Sequence, residues 1–177
     1  MSAALPRSRA KLFFALWPDP RVCAQLVDWG RELHALCGGR LVRPENLHLT
    51  LAFLGNVDET RVAQVEQAAG EVAPRALSLK LDRPDYWERN RIAWAGASVA
   101  PTELQALVAQ LHSALARSNI GLDARGDVPH VTLLRDARAP RALPALPPID
   151  WQLDAFALVQ SVTQACGSCY RIRRSWK

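Results

Sequence analysis

Two stretches about half a chain apart carry one pattern, and they restrict the fold more than any bulk property does. Asn46-Leu47-His48-Leu49-Thr50-Leu51-Ala52-Phe53-Leu54-Gly55 has a shorter echo in Pro129-His130-Val131-Thr132-Leu133-Leu134-Arg135. Both are apolar runs that read as strands. Successive side chains of a strand point to opposite faces, so Leu47, Leu49, Leu51 and Phe53 are expected on one face, with His48 and Thr50 on the other. In the echo, Val131 and Leu133 lie behind while His130 and Thr132 point forward. Burial of the apolar faces leaves an imidazole and a hydroxyl side by side on each strand, free to line a cleft. The chain has only four histidines and five threonines. One His-x-Thr arises by chance in roughly one such chain in ten, and two in roughly one in a hundred.

The segments between the motifs suggest a duplicated plan. Lys11 to Trp17 reads as a short buried strand. From Asp19, a plausible N-cap, Val22, Leu26, Leu33 and Leu36 follow helical spacing until Gly38-Gly39 stops the run. Asp58 can cap a second helix with Val62, Val65 and Ala69 on its apolar side, ended by Pro74. Leu77, Leu79 and Leu81 alternate with Ser78 and Lys80, which predicts a half-buried strand. A turn at Asp82-Arg83-Pro84-Asp85 then returns the chain toward a strand around Arg91 to Ala95. Leu104, Leu107, Val108, Leu111 and Leu115 make the best helical stripe in the chain. The four prolines between Ala139 and Pro148 indicate a surface loop, followed by one long strand from Asp150 to Val162 and a last one from Tyr170 to Trp176.

Each motif strand thus follows an amphipathic helix. The expected fold is a single bilobal α+β domain spanning residues 1–177. It would hold two similar, mainly antiparallel sheets facing a central cleft, with helices on the outer faces. The 177 residues suffice for one such core.

Charge and cysteine content narrow the function classes. The net charge is +5, and all but Lys11, Lys80 and Lys177 of the basic side chains are arginines, which bind phosphate with paired hydrogen bonds. No segment approaches the ~20 apolar residues of a membrane span. The run Leu12 to Trp17 is too short for a signal peptide and ends in Pro18-Asp19-Pro20, so a cytoplasmic monomer without membrane contact is expected. Cys23 and Cys37 fall in a helix. Cys166-Gly167-Ser168-Cys169 is a lone C-x-x-C in a turn, lacking the further ligands of a structural zinc.

Two imidazoles facing one small site suit general acid–base catalysis, because both titrate near neutrality. The threonine hydroxyls can orient a phosphoryl group. This chemistry requires no metal and no cofactor. Arg135 would fall on the rear face of an ideal strand, so phosphate binding by it needs a strand end or a bulge. Arg40 and Arg43 are positioned to steer a nucleic-acid backbone, and Phe14, Trp87 and Trp94 are candidates for base stacking or for the core. His34 and His112, on helices without a threonine neighbour, read as structural or surface residues.

The paired motifs resemble those of the 2H phosphoesterase superfamily, and the wider match resembles its RNA 2′,3′-cyclic phosphodiesterase branch, also called 2′-5′ RNA ligases. Beyond the motifs, Leu12-Phe13-Phe14-Ala15-Leu16, Glu45-Asn46 ahead of His48, Arg91-Ile92-Ala93-Trp94-Ala95-Gly96 and Ser161 with Gly167-Ser168-Cys169-Tyr170 carry the likeness along essentially the whole chain. Members often carry an aromatic near the position where this chain has Gly126-Asp127-Val128. The resemblance implies hydrolysis of a terminal 2′,3′-cyclic phosphate on RNA, including tRNA fragments, to a 2′-phosphomonoester, with reversible 2′-5′ joining in some members. It implies His48 as proton donor to the leaving 3′ oxygen, His130 as the base that activates water, and Thr50 and Thr132 as phosphate ligands. Two other readings remain open: a non-catalytic module that binds RNA ends, and a phosphodiesterase for a small cyclic nucleotide or 2′-5′ oligoadenylate.

Overall fold

A computed structural model describes residues 8–122, 128–164 and 167–177. Strand β1 (Arg9–Leu16) enters the middle of a sheet and is buried along most of its length, as expected of a strand covered on both faces. Helix α1 (Pro20–Cys37) starts where Asp19 accepts a hydrogen bond from the Val22 N–H at 2.9 Å, with Pro20 in the first turn. It buries Val22, Leu26, Trp29, Leu33 and Cys37. Cys37, four residues after Leu33, takes the place expected of Leu36, which is 54% exposed. The helix ends as the Gly38 N–H donates to the His34 carbonyl.

Gly39 has φ +86°, and a Cβ there would lie 2.7 Å from the Arg135 carbonyl oxygen. Only glycine allows that approach, and it lets the two-residue strand β2 (Arg40–Leu41) lie against a later strand. After a 3-10 turn at Pro44–Asn46 comes β3 (Leu49–Asp58). Asp58 caps through the Thr60 N–H at 3.0 Å, but the first turn it starts is 3-10. Helix α2 (Val62–Gly70) follows.

The predicted strand is present as β4 (Leu77–Leu81), alternating buried and exposed, but the expected turn after it is wrong. Arg83 to Asp85 belong to a strand of their own, β5 (Arg83–Trp87), which pairs with β6 (Ile92–Gly96). Pro84 is tolerated because β5 is the sheet's edge. Helix α3 (Thr102–Arg117) buries Leu104, Leu107, Leu111 and Leu115, as its stripe predicts. The second motif forms β7 (His130–Arg135). The long strand expected from Asp150 divides into β8 (Ile149–Leu153) and β9 (Phe156–Gln164), and β10 (Gly167–Trp176) closes the chain. β8 leaves for a small sheet with β4, where Leu79 faces Trp151.

The main sheet runs β10-β9-β1-β3-β7-β6-β5, with β2 beside β7 and every pairing antiparallel. The α+β class and the antiparallel pairing agree with expectation. The two half-sheets are joined through one residue pair, Leu49 opposite Val131. Beyond it the motif strands make no further ladder pair among the described residues, and a cleft opens between them. The helices are exchanged between the halves. α1 follows β1 but packs on β7 and β8, while α3 precedes β7 but packs on β3 and α2. One large core lies beneath both halves. A smaller cluster of Phe13, Ala15, Ala157 and Val159, flanked by Trp17, Phe53 and Tyr170, lies on the cleft side of the first. None of the described helices is long and apolar enough to cross a membrane.

Candidate active site

His48 immediately precedes β3 and His130 is the first residue of β7. Their local geometry is the same. Nδ1 of His48 lies 2.7 Å from the Asn46 carbonyl oxygen, and Nδ1 of His130 lies 2.8 Å from that of Val128. A carbonyl only accepts, so each Nδ1 carries a hydrogen and Nε2 is the nitrogen left for the cavity. The Asn46 carbonyl is itself held in place, because the Asn46 side-chain amide donates to the Ser168 carbonyl on β10 at 3.0 Å.

Both histidines line one cavity of about 1050 Å³, together with Thr50, Thr132 and Arg135. Every residue expected at the site therefore reaches it. Arg135 does so through the irregularity that its position demands. Ala93 pairs with Leu134 but Trp94 pairs with Thr132, which leaves Leu133 as the extra residue of a bulge. The bulge inverts the alternation, buries both Leu133 and Leu134, and returns Arg135 to the face of His130 and Thr132. The same device corrects the reading of β3. Leu51 and Leu54 have no partner in the β1 register, so Phe53 belongs to the cleft face, where its ring lies 5.8 Å from that of Phe13.

Electrostatically the site by itself disfavours imidazolium. Burial pushes His48 down to about 4; the positive charges of Arg135 and His130 add to this, and the Asn46 carbonyl opposes it. His130 is lowered as well, first by burial and then by Arg135, against the pull of the Val128 carbonyl. Both imidazoles are neutral at pH 7 in the free protein, and Arg135 is the standing positive charge next to them. An anion bound there reverses the balance, because a nearby negative charge favours the protonated form.

Sequence reasoning missed the rings around the imidazoles. Trp17 stacks on His48 at 5.3 Å and 9°, Phe13 lies at 4.9 Å, and Tyr170 meets its edge at 5.1 Å. His130 meets Trp87 edge-on at 4.4 Å and Trp94 at 5.9 Å. The signal was present in β1 and the residue that follows it, where Phe13, Ala15 and Trp17 alternate onto the face that His48 shares. A Cβ at Gly96 would lie 2.4 Å from the Trp94 ring, so the absence of a side chain there makes room for the indole beside His130. Of the stacking candidates, Phe14 and Trp94 are core residues and Trp87 is half-buried against the cavity.

Arg40 and Arg43 line the cavity, Arg40 in an ion pair with Asp136 at 3.2 Å. His112 also lines it, with Nε2 3.3 Å from the Leu51 carbonyl oxygen, while His34 is exposed on α1. Among the described residues no three His, Cys, Asp or Glu side chains converge to hold a metal ion. Cys169 lies in β10, and Cys166 falls outside the described residues, as do Gly126 and Asp127. Val128 beside them is 48% exposed.

Residues 16–94 match the model of the LigT-like phosphoesterases. The chain is 36% identical over 141 residues to the RNA 2′,3′-cyclic phosphodiesterase of Escherichia coli K12, covering 80% of each protein. It is 28% identical over 172 residues to the protein of the same name from Thermus thermophilus, covering 92% of this chain and 87% of the relative. The crystal structure of E. coli LigT in apo form superposes with a TM-score of 0.84 at 31% identity, covering 95% of this chain and 96% of that one. With the paired histidine strands and the cleft between two half-sheets, these likenesses show that the chain belongs to the LigT-like phosphoesterase family.

Proposed function

We propose that this protein is an RNA 2′,3′-cyclic phosphodiesterase that opens a terminal cyclic phosphate to a 2′-phosphomonoester by metal-independent acid–base catalysis. The observation that carries the reading is the matched pair of histidines, each with Nδ1 on the carbonyl two residues earlier and both lining one cavity with Arg135. The relatives named RNA 2′,3′-cyclic phosphodiesterase support the substrate, and E. coli LigT has been crystallised with 3′-AMP, a nucleotide.

In the reaction, Arg135, Thr50 and Thr132 hold the non-bridging oxygens and align phosphorus. Nε2 of His130, neutral, takes a proton from water as the water oxygen bonds to phosphorus. The bond from phosphorus to the 3′ oxygen breaks, and Nε2 of His48, as imidazolium, protonates that oxygen. The 2′-phosphate leaves, and exchange with solvent returns one proton to His48 and removes one from His130. The assignment of donor and base follows the family resemblance. The lowered affinity of His48 for protons fits it, because the donor charges when the phosphate anion enters and stays neutral otherwise. A 5′ hydroxyl of a second RNA end in the place of water would give a 2′-5′ linkage by the same transfers. A single domain acting as a monomer is sufficient, since both histidines come from one chain.

Turnover of adenosine 2′,3′-cyclic phosphate in EDTA, with product identified by phosphorus NMR, tests the proposal. A 2′-phosphate product is expected. A 3′-phosphate, or no turnover of any cyclic phosphate alongside salt-sensitive RNA binding, would overturn it in favour of different chemistry or a binding module.

A further inference from the structure

The floor of the first half-sheet continues past the histidine. On β1 the alternation that sends Phe13 and Ala15 into the cleft sends Lys11 there too, and Lys11 lines the same cavity. The Phe13 ring lies 4.9 Å from that of His48, and Lys11 is two residues farther along the strand, a further ~6.7 Å at the usual rise. Ser161 of β9, also a cavity residue, sits opposite Lys11 in the register. Lys11 is exposed, and among the described residues its ammonium has no ion-pair or hydrogen-bond partner. The other two lysines lie elsewhere: Lys80 on the outer side of β4 and Lys177 at the end of the chain.

We propose that Lys11, with the Ser161 hydroxyl beside it, is a subsite for the phosphate on the 5′ side of the reacting nucleotide, so that the cleft takes a polynucleotide end in preference to a mononucleotide. The inference rests on the function proposed above and specifies its substrate. With the cyclic phosphate at the histidines, the terminal nucleoside spans the half-buried rings of Phe53 and Tyr170, which line the cavity and can stack on any base. The next phosphate then arrives one step outward, where a compact ammonium on a flexible stem meets it as a point charge. A nucleoside cyclic phosphate lacks that group and leaves Lys11 unused.

The test compares kcat/KM for adenosine 2′,3′-cyclic phosphate with that for the dinucleotide ApA ending in the same cyclic phosphate. Wild type is expected to favour the dinucleotide about tenfold, chiefly through KM, with the preference shrinking as salt rises. Lys11→Met keeps the apolar stem and should bring the ratio to about one, whereas Lys80→Met should leave it intact. A wild-type ratio of one overturns the subsite, as does a ratio that survives Lys11→Met; if it falls instead in Arg43→Ala, the strand leaves over the opposite rim. Should neither substrate turn over, the hydrolase reading has failed by itself. The subsite is then read from calorimetric binding of ApA against adenosine, each carrying a 2′-phosphate, with the same dependence on Lys11 required.

Discussion

The two halves of the cleft set the same imidazole in different surroundings. On each, Nδ1 is fixed by the carbonyl two residues back. His48, however, is enclosed by three rings, Trp17, Phe13 and Tyr170, whereas His130 meets two, Trp87 and Trp94. Backbone geometry decides which nitrogen faces the cavity, and the ring shell decides how readily it takes a proton. A site built from two equivalent motifs thereby gains unequal members, which a donor and an acceptor need.

The sharpest way to break the comparison is to remove one member at a time. His48→Ala and His130→Ala should each reduce kcat by about 10²–10⁴-fold, the usual worth of a positioned acid or base. The double variant should be little worse than either single one, since the two act in one step. Equal and full activity in either single variant would dismiss the pair as the catalytic groups.

Arg135 serves both halves, so its loss should be felt on both. Arg135→Ala is expected to reduce kcat/KM about 10²–10³-fold, as removal of a charge-stabilising donor does. It should also raise the pKa of His48 and of His130 together, because its charge depresses both. NMR titration of the two imidazoles checks this. A change confined to one histidine would mean that Arg135 faces only one of them.

What could be read from the sequence divides along a physical line. His48, Thr50, His130 and Thr132 were legible because strand alternation is local. Arg135 could be placed there only on the condition of a strand end or bulge, and Phe53 was put on the wrong face, because the bulges at Leu133, Leu51 and Leu54 arise from pairing with other strands. The helix stripes were read well for α3 and less well for α1, where Leu36 points outward and Cys37 inward. The partner of β4 was missed for a similar reason. It is β8, far along the chain, while a nearby Asp-Arg-Pro-Asp suggested a hairpin. The ring shells depend on three strands meeting, with Tyr170 delivered by the last of them.

The pH dependence of stability ranks next in size. Both histidines have folded pKa values below the ordinary 6.5, so the unfolded chain binds more protons in that window and stability rises with pH. The contribution is full above about 6.5 and is lost as pH falls toward about 4, where His48 charges. For His48 the loss amounts to about 3–4 kcal/mol at most, since each pH unit between its unfolded and folded values is worth about 1.4 kcal/mol. His48→Gln should flatten the fall in melting temperature between about pH 6.5 and about 4 more than His130→Gln does. The reverse order would contradict the tighter enclosure of His48. The same values place the optimum of kcat/KM below about pH 6.5, with the limbs of kcat moved upward by the bound phosphate.

The mildest test acts on the shell itself. Trp17 opposes two effects on His48. Its face attracts an imidazolium by about 0.5–1 kcal/mol, while its bulk keeps water off the ring. The balance is expected on the side of desolvation, since burial is the largest cause of the fall that takes His48 down to about 4. Trp17→Ala should therefore raise the His48 pKa by about one unit, the relief of burial outweighing the lost ring contact. His130, flanked by other tryptophans, should keep its own value. The acidic limb of kcat/KM should move upward with His48, and kcat at about pH 7 should change less than about tenfold, because bound phosphate already supplies the charge that holds the donor's proton. If Trp17→Ala lowers the pKa instead, the indole acts mainly as a cation's partner. If both histidines move together, the inequality between the halves belongs to the cleft as a whole and not to the rings around His48.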